Sequence, residues 1–469
     1  MPRRLPVICI LLLTLFSVRA YAAEDTYYIF QLDQSAEGVP LPAHAQPVYE
    51  AGGIYRTNDL SVIRSFEQED ALVTYTLDGD ISLFDDPADA EALQNENWSR
   101  AMLGASYAAG KDLYGTGVRI ALIDSGIRPD FGDITGATVL SGINYLVSED
   151  SDRRNNTSDS TGHGTFVASI ISSDVTGLAP QAELVPLKCF AAKTTSISYV
   201  ISAIYAAVDE YQCDVINLSL GTTTDDPFLR EAIAYAYDHG VIMVAASGNL
   251  SSGAVSTGND PTYYPAAYDE VISVGALDEH KQIASFSVQN RSLRITAPGA
   301  GVSGLSLRSE SYKAANGTSY AAPFVTAAAA LAMQADPTLT PQDFMTLLQE
   351  TAEDLGEEGL DNTYGYGCLN VGLLLARILN DSESMILSRY DGRLCFSAYQ
   401  PDLNAAYQLV LARYEPDGRF GGCSFILSGE GGYSINNYAL PNDSASFSLF
   451  TLEHGSFAPL SVQKPHFHN

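Results

Sequence analysis

Short apolar runs alternating with helix-periodic stretches constrain this chain more than any other feature. Val118-Arg119-Ile120-Ala121-Leu122-Ile123 reads as a strand, as do the runs 184–190, 215–220, 241–246 and 271–274. Between them, Ile197, Val200, Ile201, Ile204, Tyr205 and Val208 follow the i, i+3, i+4, i+7 spacing of an amphipathic helix. Residues 228–237 predict a second helix. Thr340-Pro341-Gln342-Asp343 supplies an N-cap, a first-turn proline and a first-turn acid for a third. Strands apolar on both faces and separated by helices predict an α/β domain with a doubly wound, mostly parallel sheet over residues 98–378. In such sheets the ligand crevice lies beyond the carboxyl ends of the strands.

The flanking segments differ in character. Residues 1–22 read as an export signal: Arg3 and Arg4, an apolar stretch from Leu5 to Val18, then Ala20-Tyr21-Ala22. That stretch is too short to span a bilayer comfortably, and no later run approaches ~20 apolar residues, so no transmembrane segment is expected. Residues 24–90 predict a small α+β unit, with strands at 27–32 and 72–77 and a short helix from Leu60 to Phe66. Asp85 to Asn97 is carboxylate-rich and reads as an exposed linker open to cleavage. Residues 379–469 hold β-like runs, 406–411 and 445–450 among them, between Gly/Asp/Pro/Asn turns. They predict a small all-β, sandwich-like module.

Charge and cysteine usage exclude several classes. With 25 basic against 56 acidic residues, the chain carries −31, which makes nucleic acid a poor partner. Of six cysteines, Cys9 lies in the export signal, and the five left are not a disulfide framework. Cys189 and Cys213 sit in apolar runs and read as buried thiols, while a Cys395–Cys423 bridge is left open. Neither a CxxC pair nor a His/Cys cluster supports a metal site.

Four segments of the α/β region carry chemistry. Asp124 ends an apolar strand in Ile123-Asp124-Ser125-Gly126, where a carboxylate can orient a histidine. His163, in Gly162-His163-Gly164-Thr165, opens a helical run and suits a general base. Ser319 lies where Asn316-Gly317-Thr318 turns into an Ala-rich helix, whose N-terminus favours developing negative charge. Asn249 follows a buried strand in Ala246-Ser247-Gly248-Asn249, placed to donate to an oxyanion with the Ser319 N–H as second donor. Alone, each has a plain structural reading: strand-end turn former, capping histidine, helix N-cap, turn asparagine. Together they gain force from their order, Asp then His then Ser, which differs from the α/β-hydrolase order. The Gly-x-Ser-x-Gly pattern of that alternative also fails, because Gly317-Thr318-Ser319-Tyr320-Ala321 ends in alanine.

These motifs resemble the subtilisin-like serine proteases (subtilases, peptidase S8), over about residues 98–378. The resemblance implies a secreted or cell-envelope endopeptidase acting on protein or peptide through an acyl-enzyme. It makes Asp124 the orienting acid, His163 the base, Ser319 the nucleophile and Asn249 the oxyanion donor. Ser219-Leu220-Gly221 matches the strand that pairs with extended substrate, and Gly248 would line the pocket for the residue before the cut. Tyr263 falls where the family often has a small residue, which predicts a shallow pocket. The family usually has methionine where Tyr320 follows the serine. Residues 24–90 resemble the family's inhibitor propeptide, with Ile81-Ser82-Leu83-Phe84-Asp85-Asp86 as the tail that would fill the crevice. No cofactor is required; structural calcium, bound by many relatives, is left open without assigned ligands. The rival reading is a catalytically inactive relative that binds a peptide or envelope partner.

Overall fold

The computed structural model describes residues 26–33, 45–68, 71–84, 98–130, 134, 138–149, 151–309, 311–381 and, in the C-terminal region, 384–390, 393–400, 406–414, 420–430, 433–440, 446–453 and 459–465. The export signal, the linker 85–97 and the side chains of Cys395 and Cys423 lie outside the described residues. The chain divides into two compact units, residues 1–78 and 79–469.

In the first unit, β1 (Tyr28–Leu32), β2 (Gln46–Tyr49), β3 (Ile54–Thr57), α1 (Leu60–Gln68) and β4 (Leu72–Leu77) follow one another. The strands form one antiparallel sheet in the order β2-β3-β1-β4. Val62, Ile63 and Phe66 recur on one face of α1 and bury themselves against Phe30 and Tyr55. The Phe30 and Phe66 rings stack 5.8 Å apart. Sequence patterning anticipates β1, α1 and β4 but not the two strands between. β2 contains Pro47, which restricts it to an edge. β3 contains Arg56, which is buried because Asp78 pairs with it at 3.3 Å.

The second unit opens with β5 (Asp80–Leu83), α2 (Trp98–Met102) and α3 (Ser106–Gly110). The strands β6 (Arg119–Asp124), β7 (Thr138–Val139) and β8 (Ile143–Asn144) precede α4 (His163–Ser172). After it come β9 (Glu183–Lys188), β10 (Thr194–Ser196), α5 (Ile197–Asp209), β11 (Val215–Leu218), β12 (Leu220–Gly221), α6 (Pro227–Asp238) and β13 (Ile242–Ala246). The unit continues through β14 (Val271–Leu277), β15 (Ile295–Pro298), β16 (Val302–Ser306), β17 (Ser311–Ala315), α7 (Thr318–Ala335), α8 (Pro341–Thr351) and α9 (Val371–Ile378).

Eight of these strands build one sheet in the order β15-β14-β13-β11-β6-β9-β7, with β8 also on β9, and every pairing is parallel. Alternation within the strands explains the two layers. Ile120 and Leu122 of β6 join Val244 and Ala246 of β13 in one core with the buried residues of α4, α7 and α9. Ala121 and Ile123 are equally buried and point to the other face, where α5 and α6 pack. The long helix α7 is buried from Thr318 through Ala332. Its alanines let it run through the centre of the unit without crowding its neighbours.

Seven strands follow: β18 (Ser384–Tyr390), β19 (Arg393–Gln400), β20 (Ala406–Tyr414), β21 (Phe420–Glu430), β22 (Tyr433–Ala439), β23 (Ser446–Glu453) and β24 (Pro459–Pro465). They form one connected path, β21-β20-β23-β24-β18-β19-β22. Among the described residues, only its β18–β24 pairing is parallel. Asp381, at the entry to this region, accepts a hydrogen bond from Tyr107 at 2.6 Å and pairs with Lys111 at 2.6 Å. The Asn370 amide also donates to Ser397 at 3.1 Å. The β region is therefore tied to the α/β body by polar contacts, of which the Asn370–Ser397 bond is buried.

Candidate active site

The carboxyl end of β6 meets the first turn of α4 at close quarters. A Cβ on Gly164 would lie 2.2 Å from the Gly126 carbonyl oxygen and 3.0 Å from Asp124 Oδ1. Only glycine lets the helix start there. Gly126 has the same constraint: its φ is +102°, and a Cβ would meet the Thr157 carbonyl oxygen at 2.1 Å. This approach sets Asp124, fully buried, beside His163, which is 6% exposed. Both carboxylate oxygens stand 2.9 Å from His163 Nδ1. An ionised carboxylate only accepts, so Nδ1 carries the proton and Nε2 presents a lone pair.

Ser319 occupies the first turn of α7, after Gly317. Its hydroxyl donates to the Ser219 carbonyl oxygen at 2.9 Å. The Ser219 hydroxyl donates in return to the Ser319 carbonyl at 2.8 Å. The next residue, Tyr320, places its ring 5.6 Å from the His163 ring and 4.5 Å from that of Phe166. The structure thus bonds Asp124 directly to His163 and brings Ser319 to the same corner, one residue from a ring that lies against the imidazole.

Asn249 leaves β13 through Gly248. Its Oδ1 accepts from Thr318 N at 3.0 Å and from Thr318 Oγ1 at 2.8 Å. A backbone N–H can be met only by the amide oxygen, so the orientation of this amide is fixed. Asn249 Nδ2 is buried with no hydrogen-bond partner among the described residues. Such a donor is costly unless something arrives to accept from it.

An extended segment of the same unit lies against this corner. β5 pairs antiparallel with β10 on one side and β12 on the other. Leu83 faces Leu220 and Ser82 faces Gly221. Phe84 N points to the Ser219 carbonyl at 3.5 Å. The buried Phe84 ring stands edge-on to Tyr263, with centroids 5.0 Å apart at 85°. A Cβ on Gly221 would strike that ring at 2.5 Å, and one on Gly317 would lie 2.8 Å from the Phe84 carbonyl oxygen. Gly248 adjoins Tyr263 equally closely, since a Cβ there would come within 2.6 Å of the tyrosine ring. Expected substrate contacts at Ser219, Leu220, Gly221, Gly248 and Tyr263 therefore surround one stretch of this chain. Where sequence alone predicts a shallow pocket at Tyr263, the structure has a phenylalanine ring against it.

Sequence reading passes over two buried charges behind this corner. Asp159, 5% exposed, accepts from Ser125 Oγ, Thr161 N, Gly162 N and both donors of Thr165. Lys188, 6% exposed, donates to the Ser125 carbonyl at 2.5 Å and the Ser158 carbonyl at 2.9 Å. A lone lysine inside Leu184-Val185-Pro186-Leu187-Lys188-Cys189-Phe190 is the signal that could have found it. Among the described residues, no group of three His, Cys, Asp or Glu side chains is arranged to hold a metal ion. No described helix is long and apolar enough to cross a membrane.

A parallel α/β sheet with Asp, His and Ser in that chain order at one end of its strands is an arrangement that fits a class of serine hydrolases. The chain belongs to the subtilase family (peptidase S8), whose sequence profile matches residues 115–367, more than half of its length. It is 34% identical over 282 residues to the minor extracellular protease Epr of Bacillus subtilis, covering 58% of this chain and 41% of that protein. It is 35% identical over 320 residues to an alkaline protease of Alkalihalobacillus alcalophilus, covering 66% and 77%. With subtilisin Savinase of Lederbergia lenta it shares 35% over 285 residues, covering 59% and 97%. Family and relatives together support a serine protease at the level of the class. The chain spans less than half the length of the first of these relatives.

Proposed function

We propose that this chain is an exported serine endopeptidase made as a zymogen, with Asp124, His163 and Ser319 as its triad and Asn249 as oxyanion donor. The observation that carries the reading is the seating of residues 80–84. An extended segment lies antiparallel between β10 and β12, and its last described carbonyl, that of Phe84, lies against Gly317 beside Ser319. A peptide substrate would take the same place by strand addition.

In the reaction, Ser319 Oγ rotates from the Ser219 carbonyl towards His163 Nε2, which takes its proton as the oxygen attacks the peptide carbonyl. Asn249 Nδ2 and the Ser319 N–H receive the oxyanion. Asp124 holds the Nδ1 proton and stabilises the imidazolium. His163 then returns the proton to the leaving amine, and water releases the acyl-enzyme by the same steps. Phe84–Asp85 is the first bond the enzyme would cut, which frees residues up to 84 as an inhibitor and leaves a pocket that accepts an aromatic ring beside Tyr263.

Labelling with a fluorescent organophosphonate, and N-terminal sequencing of wild type beside Ser319→Ala, test this reading. Covalent labelling of wild type alone, with a new N-terminus at Asp85 absent from Ser319→Ala, is expected. Removal of the nucleophile should lower kcat by about 10⁶-fold. A wild type that neither labels nor processes would favour the inactive peptide-binding relative instead.

A further inference from the structure

We propose that two buried charges, Lys188 and Asp159, clamp the segments that carry the Asp124–His163 couple, position it and set the acid limb of the enzyme's pH profile. The proposal rests on the catalytic reading above.

Strand register places Lys188. β6 and β9 lie side by side, and Asp124 stands opposite Lys188. Lys188 sits in a buried run, and an ammonium there is costly unless its donors and its charge are both met. Its donors meet the carbonyls of Ser125 and Ser158, with Ser160 Oγ at 3.5 Å. One of these residues follows Asp124 directly, and the other two belong to the loop that leads into His163. The ammonium therefore ties together the two segments that carry the couple. None of the three acceptors is charged. Burial lowers the Lys188 pKa, and the carboxylates of Asp159 and Asp124 oppose that fall.

Asp159 completes the clamp from the other side. One oxygen takes Ser125 Oγ, Thr161 N and Gly162 N, at 2.9, 2.9 and 3.0 Å. The other takes Thr165 N at 2.9 Å and Thr165 Oγ1 at 2.8 Å. Ser125 Oγ in turn accepts from Gly164 N at 2.9 Å, and Ser125 N donates to Asp124 Oδ1 at 2.6 Å. One serine thus links the two carboxylates.

The charges decide what the clamp does. Asp124, Asp159 and Lys188 leave one net negative charge while the imidazole is neutral, and none once it is protonated. The surroundings are balanced for the imidazolium that forms during reaction. Removing the Lys188 charge makes them more negative and holds the imidazolium to higher pH; removing the Asp159 charge does the reverse. The other groups here are the Cys189 thiol just past β9, which burial pushes up and keeps neutral, the Arg154 guanidinium, whose charge acts on that thiol, and the Tyr320 ring on α7. All are common to every variant.

The test is kcat/KM against pH for wild type, Lys188→Met, Asp159→Asn, the double variant and Lys188→Arg, each checked for folding by circular dichroism. The acid limb is expected to rise by about 0.5–1 pH unit in Lys188→Met and to fall by a similar amount in Asp159→Asn. It should return near wild type in the double variant and in Lys188→Arg. Shifts of the same sign, or lower rates with an unmoved limb, overturn the proposal and leave a packing role. If Lys188→Met fails to fold, Asp159→Asn, equal in size, still decides: a downward limb supports the clamp and an unmoved one overturns it. A wild type without Ser319-dependent turnover overturns the catalytic reading itself, and this proposal with it.

Discussion

Two helices begin at the same corner of the molecule, and their first turns are finished in opposite ways. At α4, a buried carboxylate does the finishing. Asp159 takes Gly162 N and Thr165 N, Ser125 Oγ takes Gly164 N, and Thr161 Oγ1 takes His163 N at 3.2 Å. The positive end of that helix is thereby covered by negative charge. At α7, the cap is a neutral amide: Asn249 Oδ1 takes Thr318 N, and no acid stands in the first turn. That end keeps its positive field and gains an unpartnered Nδ2 beside it. A helix N-terminus attracts anions by default. In the proposed mechanism one such end is converted to host a cation, the His163 imidazolium, while the other keeps its default for an oxyanion. The chemistry follows from which side chain caps each helix, not from the helices themselves.

Substitutions at each end break this contrast differently, and the cationic end should lose more. Asp124→Asn keeps the shape but turns one of the two oxygens that meet Nδ1 into a donor and removes the charge that holds the Nδ1 proton, so kcat should fall about 10⁴-fold with little change in KM. Steady-state kinetics on a peptide anilide would read this; a loss under tenfold would mean the imidazole is oriented by something else. At the anionic end, Asn249→Ala should lower kcat by about 10²–10³-fold at constant KM. A rise in KM with kcat unchanged would assign Asn249 to ground-state binding and remove the contrast.

The helix starts themselves were legible in the sequence; the residues that tune them were not. Gly162-His163-Gly164 and Gly317-Thr318-Ser319 announce themselves because glycine is demanded where a helix abuts a strand end. Strands β6, β9, β11, β13 and β14 announce themselves because both faces are buried. β15, Ile-Thr-Ala-Pro, is only four residues long and is broken by Thr296, and its place beside β14 is a matter of pairing. Lys188 stays hidden because the register of β6 on β9 sets it opposite Asp124, which periodicity does not report, and Asp159 because its partners are loop hydroxyls and backbone N–H groups brought to it by the turn into α4. The tail 81–86 could be named through its resemblance to a propeptide end. That Phe84, rather than Leu83, faces Tyr263 depends on pairing with β12.

The smallest expected effect concerns how α7 tolerates Pro323 so near Ser319. Proline lacks an N–H, so residue 323 cannot bond the carbonyl four residues earlier, and that carbonyl belongs to Ser319. Ser219 Oγ supplies the missing donor. It is itself held by Asn217 Nδ2 at 2.9 Å, and Asn217 Oδ1 accepts from Thr326 Oγ1 at 2.8 Å. The side chain therefore substitutes for a helix hydrogen bond and fixes the Ser319 backbone. Ser219→Ala should cost about 1–3 kcal/mol of stability, because it leaves a buried carbonyl unsatisfied. Pro323→Ala restores an N–H in helical register with Ser319, so in that background the same substitution should cost under ~1 kcal/mol. Urea unfolding of the four combinations, in a Ser319→Ala chain to prevent self-digestion, measures the difference. Equal penalties in both backgrounds would mean that the Ser219 hydroxyl does not stand in for the helix bond, and that the α7 start holds Ser319 by packing alone.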